Sequence, residues 1–470
     1  LSAPMNALLR RKPIEQIDEE PSGLQRTLGL WQLTAIGIGG IIGAGIFSLA
    51  GVVANEKAGP AVVISFLVAG VASAAAAFSY AEFAGLIPRA GSAYTYGYVV
   101  LGEFAAWFIG WDLLLEYTAI VSVVAIGISG YLGELLSYLG VSLPAWMLGA
   151  PGTEPDGVAP GTYVVDLFAA LLCLLIAFVL TRGMRSAARF ETSLVYLKVA
   201  VVLLVICVGV FHINTENYDP FAPFGLTGAF AGAAVVFFAV FGYDAMSTAA
   251  EESKDSQKHM PKAIIYSLAI SMVLYVLACL VLTGMVNYAD INTDAPFSVA
   301  FADVGLPLLG AIIAGGAILG ILTVLFTFLM GAARVGYAMS RDGLLPQWMS
   351  ATDPVHRQPT RITWTLGAVA AVIAGFLPIG DAAELTNIGI LLAFIVVCIS
   401  VIVLRYRRPD LPRSFRCPGM PVVPAIGVVF SIWLISFLEP LTYLRFAGWF
   451  LLGLLIYFFY SRRNSLLGRR

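Results

Sequence analysis

Charge is scarce in this sequence. Of 470 residues only 12% are Asp, Glu, Lys or Arg, about half the share found in an average soluble protein. Against that, 59% are hydrophobic and the mean hydropathy is +0.87. So few charges do not supply the polar shell that a water-soluble chain of this length needs, which leaves an integral membrane protein. The same scarcity leaves no basic patch for nucleic acid. Cysteine is thin too. Cys173, Cys207, Cys279, Cys398 and Cys417 form no CxxC pair and four lie inside apolar runs, so neither a disulfide framework nor a zinc site is indicated. His212, His259 and His356 fall in loops or at the ends of apolar runs, with no second ligand at metal spacing. No Walker-type phosphate loop occurs, and no Ser/His/Asp or Cys/His set supports an enzyme. The first thirty residues are polar and charged, unlike a cleaved signal peptide.

What the chain has in abundance is long apolar runs. A helix needs about 20 apolar residues to cross the hydrocarbon. Runs of that kind begin near Trp31, Pro60, Tyr98, Tyr163, Phe190, Ala229, Pro261, Gly305, Arg361, Leu385, Pro421 and Leu441, with proline and glycine between them. The expectation is an all-α membrane protein of twelve spans in the lipid bilayer. With a cytoplasmic N-terminus, alternating spans put all but three of the 27 lysines and arginines on the cytoplasmic side, in the stretches 10–26, 182–189, 254–262, 334–361, 405–416 and 462–470 and at Arg89. Lys57 and Arg445 fall outside and Lys198 within a span. That is a positive-inside bias, and one missed span would scramble it. The chain then divides into a cytoplasmic segment 1–30, a ten-helix core 31–404 with halves at about 31–213 and 229–404, helices 11 and 12 within 405–460, and a cytoplasmic tail 461–470.

Two runs are built to break. The first reads Gly37-Ile38-Gly39-Gly40-Ile41-Ile42-Gly43-Ala44-Gly45-Ile46-Phe47, and each mid-span glycine costs about 1 kcal/mol in helix propensity relative to alanine. Gly39 and Gly43 would suit close helix packing. The other reading is an unwound segment whose free amides and carbonyls bind a polar ligand, since irregular backbone at this depth survives only where it lines a cavity. The sixth run reads Phe237-Phe238-Ala239-Val240-Phe241-Gly242-Tyr243-Asp244, with an ionisable residue two positions after a mid-span glycine. These runs open the two halves of the core, and interrupted segments at corresponding positions point to the binding site of a secondary transporter. A half-helix that starts after a break aims free N–H groups and a positive dipole end at an anion. One that ends at a break offers carbonyls to a cation. Together they hold a zwitterion, which makes an α-amino acid the natural substrate.

Lys198 lies about eight residues into the fifth span, roughly 12 Å at about 1.5 Å per residue, near the midplane of a core about 30 Å thick. Either it snorkels to the interface, or it is a desolvated lysine that loads and releases a proton, its ammonium standing where a sodium ion would otherwise sit. Asp244 caps the second half-helix, accepts a proton or faces a cationic side chain. Asp112 and Glu116, four apart, share a helix face; Glu116 is the deeper and the better pocket candidate, with a structural hydrogen bond as the alternative. Glu82, seven residues before Arg89, reads as a gate or structural ion pair. Glu251, Glu252 and Lys254 read as a solvated cytoplasmic face. Met330 is packing or a pocket wall whose bulk would limit substrate size.

The glycine-rich run at 39–47, PRAGSAYTYGY at 88–98, FFAVFGYDAMSTAAEE at 237–252 and ARVGYAMSRDGLLP at 333–346 resemble the amino acid–polyamine–organocation superfamily. The sixth-span stretch, continuing into SKDSQKHMPKAI, resembles its cationic amino acid transporter branch in a bacterial-length version, and the similarity covers about residues 20–460. This resemblance implies a five-plus-five inverted-repeat, LeuT-like core with helices 1 and 6 broken and helices 11 and 12 outside it. It implies a substrate carboxylate on the amides around Gly43, Ala44 and Gly45, and an amino group on the carbonyls of Ile41, Phe238, Ala239 and Phe241. Relatives often carry serine where Ala44 stands, so a hydroxyl contact is missing here. Phe238 falls where they place an aromatic gate. Lys198 matches the helix-5 lysine of proton-coupled members, which favours protons over sodium. Branch similarity points to lysine, arginine or ornithine paired with Asp244 or Glu116, whereas a pocket walled by Ile42, Phe238 and Met330 would suit alanine.

The expectation is therefore a proton-coupled symporter of L-amino acids, cationic or small neutral, working by alternating access in the plasma membrane with both termini cytoplasmic. It uses no cofactor beyond the proton and no metal. An obligate exchanger of the same fold, or a non-transporting sensor or channel, remains the alternative; a channel would need a carbonyl filter or continuous polar stripe, and none is visible. A small membrane subunit or an oligomer is not legible in the sequence.

Overall fold

Hydrocarbon leaves an apolar chain few choices, because every backbone N–H and C=O must pair within the protein. The computed structural model describes residues 28–86, 92–155, 157–182, 187–247, 253–351 and 359–465. The polar start of the chain, Arg89, Arg185, Glu251, Glu252, His356, Arg357 and the last five residues lie outside the described residues. Helices stand at each of the apolar runs: α1 (Leu30–Ile41), α2 (Val62–Leu86), α3 (Glu103–Tyr138), α4 (Leu167–Thr181), α5 (Ala187–Gly209), α6 (Gly225–Val236), α7 (Ser256–Met285), α8 (Pro307–Arg341), α9 (Thr360–Phe376), α10 (Ile379–Arg407), α11 (Val422–Ile435) and α12 (Pro440–Ile456). Among the described residues seven stretches are long and apolar enough to cross a membrane, the first of them Leu30–Leu86, which contains both α1 and α2; Leu167–Thr181, Gly225–Val240, Thr360–Phe376 and Val422–Ile435 are apolar but shorter.

The third run departs from expectation. Its apolar pattern starts near Tyr98, but Ser92–Val100 is a separate short helix. Gly102, at φ 114°, turns the chain before α3 begins at Glu103. That backbone angle lies in a region only glycine enters readily, and hydropathy does not register it. Among the described residues the only bridges of strand type are isolated ones, Leu28 with Ser253 and Leu148 with Asp166.

Packing follows a rule of five. The three most extensive helix pairings are α3 with α8, α2 with α7 and α4 with α9, each joining helices five apart in the chain. The broken segments that follow α1 and α6 also meet each other. By contrast, the last stretch, Pro440–Asn464, leaves most of its surface outside the packed core, and Leu444, Leu451, Leu455 and Phe459 are exposed, as suits side chains facing lipid.

Candidate functional site

The first helix stops where its glycines predict. Ile42 leaves the helix for an extended conformation (φ −75°, ψ 111°), its N–H still donating to the Ile38 carbonyl at 2.9 Å. The chain resumes with a π-helical turn at Gly45–Leu49 and a short helix at Ala50–Val53. In the sixth run, α6 tightens into a 3-10 turn at Phe237–Val240, Phe241 is extended (φ −108°, ψ 160°), and Gly242 sits at φ 133° before the helix Tyr243–Ser247.

These breaks lie against each other. A Cβ on Gly40 would fall 2.8 Å from the Gly242 carbonyl oxygen, and one on Gly242 would fall 2.5 Å from that of Gly40. A methyl group at Gly45 would overlap Ala239, and one at Gly39 would overlap Val195. Close packing and unwinding are thus two sides of one arrangement. Glycine lets the broken segments approach, and the approach removes the room that regular helices would need.

Breaking a helix orphans carbonyls, and side chains from other helices reach several of them. Gly39 O accepts a hydrogen bond from Lys198 Nζ, which also reaches Thr323 Oγ1 at 3.3 Å. Ile41 O accepts from Tyr275 on α7 at 2.7 Å. Asn387 on α10 donates to both Ala234 O and Val235 O at 2.7 Å, and Ser73 on α2 donates to Val240 O at 2.7 Å. Tyr275, Asn387 and Ser73 were not anticipated from the sequence. The available signal was a polar group in mid-run, clearest for Asn387, but nothing local says which carbonyl it meets. On the other side of the first break, Gly43, Ala44 and Gly45 open the second half-helix, where N–H groups have no carbonyl one turn back.

A cavity of about 10 Å³, the room of one water, lies between the breaks. It is lined by Gly40, Ile41, Gly43, Phe238 and Phe241 from the broken segments, Ile120 from α3, and Val324 and Phe328 from α8. Of the residues expected at a site, Ile41, Gly43, Phe238 and Phe241 are on its wall. Ile42 and Ala44 are wholly buried, Ala44 facing Gly127, and Gly45 packs against Ala239. Met330 is not among the lining residues. It lies farther along α8, and Val324 and Phe328 form the wall in its place.

The buried ionisable groups surround this centre. Lys198 is wholly buried, bridging α5 to the end of α1 and to α8. Asp244, one residue inside the helix that follows Gly242, is wholly buried and accepts a hydrogen bond from Tyr117 on α3. Asp112 and Glu116 are buried one turn apart on α3. Glu82 is a structural ion-pair centre. It accepts from Arg405 Nε at 3.1 Å and from Arg405 Nη2, from Arg413 Nε at 2.9 Å and from the Cys417 N–H at 2.8 Å.

A second, larger cavity of about 620 Å³ opens past the end of the first run, where Asn55, Glu56 and Lys57 join Asp290, Asp381, Glu384 and Glu439. Lys57 bridges Glu384 at 3.5 Å and Glu439 at 3.3 Å, and Arg445 pairs with Asp381 at 3.0 Å. At its rim, backbone N–H groups, its own first and then those of Tyr163 and Gly161, hold the Glu154 carboxyl below its ordinary range.

Residues 28–459 match the family profile described as amino acid permease. The methylthioribose transporter of Bacillus subtilis (strain 168) is 46% identical over 467 residues, covering 99% of this chain and 100% of that protein. The branched-chain amino acid permease BcaP of the same organism is 43% identical over 468 residues, covering 98% and 99%. Human cationic amino acid transporter 4 is 36% identical over 416 residues, covering 87% of this chain and 64% of that protein. The two bacterial relatives are more similar to this chain than the human cationic transporter is.

Proposed function

The chain belongs to the amino acid permease family, a family of transporters rather than enzymes, and we propose that it carries an uncharged L-amino acid with an aliphatic side chain into the cell together with a proton. The observation that carries this reading is the chemistry of the surfaces that meet between the two helix breaks, which enclose only about 10 Å³ here and have to part to admit a substrate. Its backbone component is polar at both ends, with the first N–H groups of the second half-helix at Gly43 on one side and break carbonyls on the other. Its side-chain component, Ile120, Phe238, Phe241, Val324 and Phe328, is wholly apolar. Once the breaks part, the first would suit a zwitterion and the second an aliphatic side chain; a cationic side chain would find no acceptor on that wall. The similarity to a branched-chain amino acid permease agrees with it.

Proton coupling is supported by Lys198. Its ammonium ties α5 to the last turn of α1 through Gly39 O and to α8 through Thr323. Loss of its proton would weaken that tie and release the first broken helix. The pairing of helices five apart supports a five-plus-five repeat over 31–404. Counting Leu30–Leu86 as two crossings, the long and shorter apolar helices support twelve crossings with both termini cytoplasmic, and the bacterial relatives support the plasma membrane.

The reading is tested in proteoliposomes. One labelled aliphatic amino acid is competed with each of the other common amino acids and with methylthioribose, at two pH values, with and without an inward proton gradient. Competition by valine, leucine and isoleucine with accumulation driven by the gradient is expected. Displacement by lysine and arginine alone, or by methylthioribose alone, would overturn the substrate class. Uptake only when the vesicles hold internal amino acid would make the protein an exchanger.

A further inference from the structure

Among the described residues the buried acids are partnered, with two exceptions on α3. Glu82 is bonded to two arginines and an N–H, Asp166 to Ser129 and the Ala169 N–H, and Glu384 to Thr442 and the Glu439 N–H. Asp112 and Glu116 differ. They are 2% and 0% exposed, and none of their four carboxyl oxygens has a hydrogen-bond partner among the described residues. The groups facing them give no counter-charge. Glu116 has Asp244 and Asp112 as its electrostatic neighbours, and Tyr80 on α2, Tyr117 on α3 and Tyr243 beyond the second break stand within reach of it. On α10, Gly389 packs directly against the pair. A Cβ on Gly389 would fall 3.0 Å from Asp112 Oδ1 and 3.3 Å from Glu116 Cβ.

An ionised carboxylate in such surroundings is strongly disfavoured, and two at one turn's separation disfavour each other as well. Both groups are therefore held protonated in this conformation. We infer that Asp112 and Glu116 form a proton-carrying pair, closed off by the bare α10 backbone at Gly389 and separate from Lys198. When α10 moves away from α3 and admits water, one carboxyl O–H bond breaks. Its electron pair stays on the carboxylate oxygen and the proton passes to water. Glu116 lies one turn from Ile120 on the cavity wall, and Asp112 lies one turn nearer the start of α3, so the pair steps from beside the cavity toward that end of the helix. Buried acids in membrane spans serve as proton relays in this way, and their protons leave as a coupled pair rather than independently. The inference rests on the proton-coupled reading and extends it to a second site.

The test uses the full chain in proteoliposomes and two independent readouts. Asp112→Asn should keep amino acid counterflow within about twofold of wild type and lower gradient-driven accumulation at least tenfold. Separately, dicyclohexylcarbodiimide, which modifies protonated carboxyls in apolar surroundings, should label the wild-type protein at Asp112 or Glu116, read by mass spectrometry of the peptide. Gradient-driven accumulation in Asp112→Asn equal to wild type would overturn the pair, as would absence of adduct at both residues. Wild-type protein that accumulates nothing with a proton gradient would instead overturn the coupling on which the pair rests.

Discussion

At the scale of single residues, the site is made by backbone and only adjusted by side chains. Glycine in the first run marks where the helix stops, and Gly242, at φ 133°, marks the second stop. Both were legible because glycine in mid-span weakens a helix and signals a break or a close approach of backbones. The residues that tune the exposed carbonyls were not legible, because each comes from a distant helix. Tyr275 meets Ile41 across 234 positions of sequence and Asn387 meets Val235 across 152. For Met330 the sequence left packing and pocket wall open for a related reason: periodicity places it on α8 but does not say which turn of α8 faces the breaks. Tyr275→Phe removes the only side-chain donor observed on Ile41 O. An unsatisfied buried acceptor costs about 1–3 kcal/mol, so the thermal midpoint of the purified protein is expected to fall by a few degrees, measured by thermal unfolding.

At the scale of elements, the unwound turns persist because intact helices hold them. Asn387 is the clearest example, one amide group in α10 serving two carbonyls near the end of α6. Removing it leaves two buried acceptors unsatisfied, at about 1–3 kcal/mol for each. Asn387→Ala should therefore lower the thermal midpoint by several degrees. Thr386→Ala should change it little, because Thr386 bonds only to Ala382 within its own helix. Equal losses in the two variants would mean that α10 is sensitive to any truncation there. Element boundaries were less legible than element existence. Apolar periodicity placed the third span at Tyr98, yet the turn at Gly102 delays α3 to Glu103, since a left-handed backbone angle leaves no trace in hydropathy.

At the scale of the whole molecule, a wide cavity lies toward one end of α2 and an ion-pair cluster at the other. The cavity of about 620 Å³ lies beside Lys57 and Glu384, on the side where positive charge is rare. At the arginine-rich side, Glu82 gathers Arg405, Arg413 and the Cys417 N–H, joining α2 to α10 and to the connection before α11. Ser414 adds a bond to the Gln257 carbonyl at the start of α7. Under the proposed alternating access this cluster has to part. Glu82→Gln removes the charge that holds two guanidinium groups, one of them buried, and leaves a buried cation unpaired. Alkylation of the buried Cys417 thiol in inverted vesicles should then run several-fold faster than in wild type, followed by mass spectrometry. An unchanged rate would mean that other contacts hold this end closed.

The central claim is that two interrupted helices recognise both charged ends of an amino acid while an apolar wall receives its side chain. Its most direct test is equilibrium binding of leucine against two analogues that keep the side chain and lose one end: 3-methylbutylamine, without the carboxylate, and 4-methylpentanoate, without the ammonium. Charged hydrogen bonds contribute about 1.5–3 kcal/mol, so each analogue is expected to bind at least tenfold more weakly than leucine. Either analogue binding as tightly as leucine would contradict the account.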